Sequence, residues 1–152
     1  RGTGIGLVHV GGGDQNDLEQ LKALAVKNNV NFEVSPRLEH KELVKLLSSS
    51  LAVISMAHKE PFGLTPVEAH AVGTPALMVN EGGFPTTIID HESGRLLPRE
   101  NYNAWHIALK EAKMVENRKK WSKRGQEIVK ELELDSKGRA EALHQIIEKI
   151  IQ

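Results

Sequence analysis

Apolar positions along the chain follow two alternating rhythms. "GLVHV" (Gly6 to Val10) is a short β-branched run that ends in Gly11, Gly12 and Gly13, the way a buried parallel strand enters a turn. In "NDLEQLKALAVKN", Leu18, Leu21, Leu24 and Ala25 recur at helical spacing, which predicts an amphipathic helix with Asn16 or Asp17 as its N-cap. "VNFEV" (Val30 to Val34) predicts a second strand, stopped by Ser35-Pro36. "HKELVKLLSSS" restores the helical period through Leu43, Leu46 and Leu47, and "LAVISM" (Leu51 to Met56) is a continuous apolar strand. Strands "ALMVN" (Ala76 to Asn80) and "GRLLP" (Gly94 to Pro98) follow. From Asn101 onward the chain reads as two or three helices: "NYNAWHIALKEAKMVE", "RKKWSKRGQEIVKELE" and "SKGRAEALHQIIEKII".

No two of these strands are joined as a two-residue hairpin. Strand and helix alternate instead, which predicts an α/β fold with a parallel sheet and helices on both of its faces. In open α/β sheets ligands bind beyond the carboxyl ends of the strands. Three glycine-containing loops fall there: Gly11 to Gly13, Pro61 to Leu64, and Gly82-Gly83.

Composition narrows the picture. A chain of 152 residues suits one domain with a full core. Twenty Lys and Arg balance twenty Asp and Glu, so no global charge draws nucleic acid or anionic lipid, and no nucleic-acid partner is expected. The absence of cysteine excludes disulfides and thiolate metal sites. No apolar run approaches the roughly 18 residues of a membrane span, and the first residues lack the pattern of a signal peptide. A cytoplasmic location is the expectation.

The chemistry concentrates in "HKEPFGLTPVEAHAVGTP", residues 58 to 75. Thr65-Pro66-Val67-Glu68 fits a helix start, with Thr65 as N-cap, Pro66 at the first helical position and Glu68 completing a capping box. Gly73 and Pro75 end that helix. On this reading Glu68 is structural, and Glu60 alone is a solvated carboxylate at a strand end. Taken together they suggest more. A helix N-terminus preceded by Phe62-Gly63-Leu64 offers N–H groups and a partial positive charge to a phosphate. Carboxylates on either side of such a cradle suit the hydroxyl-rich ends of a sugar nucleotide.

"EPFGLTPVE" with "AVGTPALMVNEGG" resembles the E-x7-E region of group 1 (family 4) retaining glycosyltransferases, which have the GT-B fold. "GLVHVGGG", the segment from Leu18 to Met56, and "GRLLP" fall in the order of that family's Rossmann-like, C-terminal donor-binding domain. The resemblance implies that Glu60 contacts the transferred sugar and acts in catalysis. It further implies that the backbone of Phe62, Gly63, Leu64 and Thr65 cradles the diphosphate, and that Glu68 binds the ribose hydroxyls. Gly12 and Gly13 would approach the nucleotide, and the backbone near Pro36-Arg37 would read the base. The donor would be a UDP-, GDP- or ADP-sugar and no divalent metal or other cofactor is needed. The acceptor, a carbohydrate or lipid-linked molecule, would sit on an N-terminal domain outside this sequence, and peripheral membrane association belongs to the same expectation for the full-length enzyme.

Three departures from the family pattern stand out. The strand and helix that normally precede "GLVHV", with an Arg and a Lys for the diphosphate, have no match, and neither does the acceptor domain. Phe84-Pro85-Thr86 stands where the family often has x-x-Glu. The chain is therefore expected to be a fragment of a longer enzyme, inactive in isolation. A GT-B-type epimerase or phosphorylase, or a catalytically silent sugar-nucleotide-binding module, are the alternative readings.

Other features are assigned less. Asn16 occupies the place of the last glycine of a G-x-G-x-x-G dinucleotide motif, which argues against that motif. His58, His70, His91 and His106 lack metal-ligand spacing and read as surface or packing residues. "NRKKWSKR" reads as a solvated helix face, and Trp105 and Trp121 as packing anchors.

Overall fold

The computed structural model describes residues 3–132. The helix expected from "SKGRAEALHQIIEKII" lies outside the described residues. The chain divides into two compact units, Arg1–Leu46 and Leu47–Gln152.

In the first unit β1 (Leu7–Val10) and β2 (Phe32–Ser35) form a parallel pair in the register Leu7↔Phe32. They are joined through α1 (Gln15–Lys27). The N-cap of α1 is Asp14, whose carboxylate accepts from the amides of Asn16 and Asp17. The two residues expected to cap the helix are thus the ones being capped. An Asp directly after the glycines meets the first free amides of the helix, so the helix starts earlier than its apolar rhythm. Leu21 and Leu24 of α1 remain exposed.

Helix α2 (His40–Ser49) leads into the second unit, which holds the parallel sheet β3–β4–β5. These strands are Val53–Ser55, Ala76–Val79 and Gly94–Leu97. The parallel α/β architecture expected from the pattern is present, with the strands grouped as two sheets rather than one. Strand β4 is central and every residue of it is buried, as its uninterrupted apolar run requires. The core comprises β4 with Phe84, Ile88, Leu97, Trp105, Ala108, Ala112 and Trp121. Burying this set supplies most of the unit's stability, at about 25 cal/mol per Å² of apolar surface.

Helix α3 (Leu64–Ala71) packs on β3 and β4, and α4 (Tyr102–Lys113) packs on β5. Helix α5 (Val115–Glu131) lies against both α3 and α4. Trp105 and Trp121 are packing anchors, as expected. Both are buried, and their indole N–H groups donate to the carbonyls of Pro98 and His91. Helix α3 ends at Gly73 (φ 79°). The Gly73 amide bonds the His70 carbonyl and the Thr74 amide bonds that of Ala69, the left-handed glycine stop predicted for it. Among the described residues no helix is long and apolar enough to cross a membrane.

Candidate functional site

The start of α3 differs from the expected capping box. Gly63 is the N-cap, in the left-handed conformation (φ 92°, ψ 57°), and the helix begins at Leu64. A glycine reaches that conformation without strain, so the chain turns into the helix two residues before Thr65. Pro66 is then the third helical residue, a position where its missing N–H still costs no hydrogen bond. Thr65 is therefore not the N-cap. Glu68 falls in the second turn, too far along the helix to bond back to the cap, and its side chain is exposed. The structural role that the sequence offered Glu68 is absent.

This start leaves a small set of donors. The Gly63 amide donates to Glu60 Oε1 at 3.0 Å. The amides of Leu64 and Thr65 belong to the first turn, have no carbonyl one turn earlier, and no side chain caps them. Two N–H groups at the positive end of a helix dipole thus stand between Glu60, which is half-buried, and Glu68, which is exposed.

The loop after β4 forms the floor under this turn. A Cβ on Gly82 would lie 2.5 Å from the Glu60 carbonyl oxygen, and one on Gly83 would lie 2.5 Å from the Phe62 backbone. Only glycine permits so close an approach. The Gly83 amide donates to the Glu60 carbonyl at 2.7 Å. Thr86, which stands where the family often carries a glutamate, directs its hydroxyl to the Gly83 carbonyl at 2.6 Å. Two of the three glycine loops, Pro61–Leu64 and Gly82-Gly83, therefore meet in one place.

The other predicted residues belong to the first unit. Gly12 and Gly13 follow β1 and are exposed, and Gly12 accepts at its carbonyl a contact of 3.3 Å from His9 Nε2. Arg37 is exposed in the segment between β2 and α2.

Three features of the second unit carried no recognisable motif. Arg99, just past β5, forks onto Glu81, just past β4, with Nε–Oε1 3.1 Å and Nη2–Oε2 2.6 Å. The parallel register Val79↔Leu97 sets these two positions side by side, a relation no local spacing displays. Lys59 adopts φ 54°, which a residue with a side chain rarely does. His70, read as surface or packing, is fully buried, and neither ring nitrogen has a hydrogen-bond partner. Its burial holds the imidazole pKa down at about 4.

The fold is that of GT-B glycosyltransferases. The family described as "Glycosyl transferases group 1" matches residues 2–128, and the chain belongs to that family. A D-inositol 3-phosphate glycosyltransferase of Corynebacterium diphtheriae is 32% identical over 94 residues, 62% of this chain and 22% of that protein. The chain thus spans 22% of the length of this relative. The sucrose-phosphate synthase of Thermosynechococcus elongatus superposes with a TM-score of 0.81 at 25% identity, over 95% of this chain and 38% of that one. Anabaena HepE, solved in complex with UDP-glucose, shares the fold with a TM-score of 0.72 at 19% identity, over 83% of this chain and 36% of that one.

Proposed function

We propose that the chain is the nucleotide-sugar-binding domain of a retaining glycosyltransferase, with Leu64 and Thr65 offering their amides to the donor's diphosphate. The observation that carries this reading is the uncapped first turn of α3 with a carboxylate on each side. Transfer of the sugar leaves a nucleoside diphosphate, and fixed N–H donors with a helix dipole stabilise that charge as it develops. Glu68, free of any capping duty, accepts from the ribose hydroxyls. Glu60 holds Gly63 through one oxygen and keeps the other for a hydroxyl of the transferred sugar.

Titration of the chain with UDP, GDP and ADP tests the reading. One of the three should shift the amide resonances of Leu64 and Thr65. Glu68→Gln should weaken that nucleotide's binding about tenfold, because a charged acceptor makes stronger hydrogen bonds than an amide, while the melting temperature stays put. Shifts confined to α4 and α5, or an unchanged affinity in Glu68→Gln, would sink the assignment.

A further inference from the structure

Arg99 makes more bonds than an ion pair needs. Besides its fork on Glu81, its Nη1 donates to the Met56 carbonyl at 2.6 Å and its Nη2 to the Ala57 carbonyl at 3.3 Å. Met56 and Ala57 are the first two residues past β3. One guanidinium therefore ties together the carboxyl ends of all three strands of this sheet. Only a planar fork with several fixed donors can do so; an ammonium cannot.

The segment that follows is held at both ends. Arg99 fixes it at Met56 and Ala57, and the Gly83 amide fixes it at the Glu60 carbonyl. Between these anchors Lys59 sits in the left-handed region. A side-chain-bearing residue keeps such a conformation when its surroundings impose it, and such residues gather at functional sites. The ion pair is partly open to water, with side-chain exposures of 21% for Arg99 and 42% for Glu81. A pair that water reaches adds modestly to stability, so the weight of these contacts falls on geometry.

We propose that Arg99, braced by Glu81, is a positioning residue that sets the place of the Glu60 carboxylate and thereby governs the grip on the donor's sugar rather than on its nucleotide. This inference rests on the donor-binding reading above. Arg99 itself touches no ligand. It acts through Met56, Ala57 and the strained Lys59, and the last link is Glu60 Oε1 on the Gly63 amide.

Two measurements on the 152-residue chain test it, with Arg99→Met and Arg99→Lys as variants. The first is hydrogen exchange, which needs no ligand. The amides of Gly63 and Gly83, both bonded to Glu60, should exchange about tenfold faster in Arg99→Met, while the core amides of Leu77 and Met78 keep their rates. Lysine should not rescue, because it lacks the fork. The second is calorimetry with UDP, GDP and ADP and with the corresponding glucose esters. The preference for nucleotide sugar over free nucleotide should fall about tenfold in Arg99→Met, with the affinity for free nucleotide changed less than about twofold. Unchanged exchange at Gly63 and Gly83 would overturn the positioning role whatever the chain binds. A sugar preference that survives Arg99→Met, or that Arg99→Lys restores in full, would overturn the link to the sugar. A wild-type chain that bound none of the nucleotides would instead overturn the donor-binding reading, and the sugar link with it.

Discussion

Acidification should destabilise the second unit through one residue, His70. Its ring is wholly buried against α5, where a Cβ on Gly125 would lie 2.5 Å from Nδ1. Desolvation pushes its pKa from 6.5 down to about 4; the backbone at Thr74 and Thr87 faces the ring and pulls partly back, without reaching hydrogen-bonding geometry. In the unfolded chain His70 takes up its proton near 6.5, whereas in the folded chain it does so only near 4. Between those values the unfolded state binds more protons, so stability rises with pH. The contribution is fully present above 6.5 and is lost as the pH falls through 4. A gap of about 2.5 pH units, at about 1.36 kcal/mol per unit, amounts to roughly 3 kcal/mol, most of it lost by pH ~4.5.

The control is His70→Met, an apolar side chain that cannot charge and that leaves no buried nitrogen unpaired. Urea unfolding of parent and variant at several values between about pH 7 and pH 4.5, followed by the fluorescence of the buried Trp105 and Trp121, gives the two stability curves. Carboxylates titrate alike in both proteins, so their effect cancels in the difference. The variant should be near parity with the parent at neutral pH and roughly 2–3 kcal/mol more stable at the acid end. A difference that stays level within about 0.5 kcal/mol over the whole range would refute the reasoning, since it would mean that His70 charges as readily when folded as when unfolded.

Two further predictions concern the glutamate and its floor. On the donor-binding proposal, Glu60→Gln, whose amide oxygen can still accept from Gly63, should leave the binding of free nucleoside diphosphate within about twofold of the parent and lower sugar transfer by an enzyme carrying this domain about a hundredfold, because the lost charge weakens the hold on the sugar; equal transfer rates would clear Glu60 of that role. Gly83→Ala should cost about 2 kcal/mol or more in urea unfolding, the price of forcing a methyl into the Phe62 backbone, and should weaken nucleotide binding; a stable variant that binds normally would show that the floor gives way.

Much of this protein can be read from its sequence because the information is local. The apolar run of β4 announces a buried parallel strand, and the glycine at position 73 announces the end of α3. The pair Glu60 and Glu68 around Phe62-Gly63-Leu64-Thr65 announces a family, the one whose model matches residues 2–128. These depend on neighbours a few residues apart, where spacing and conformational preference act directly. Helix starts were legible only to within a turn. Whether Gly63 or Thr65 caps α3 depends on which conformation the folded loop settles on, and the Gly82-Gly83 floor beneath that loop lies some twenty residues onward. The fork of Arg99 on Glu81 depends on the register of β4 against β5. The desolvation of His70 depends on where α5 crosses α3 and brings Gly125 against the ring. Each is a contact between segments distant in sequence. Its energy comes from close packing and from excluded water, which have no counterpart until the chain is folded.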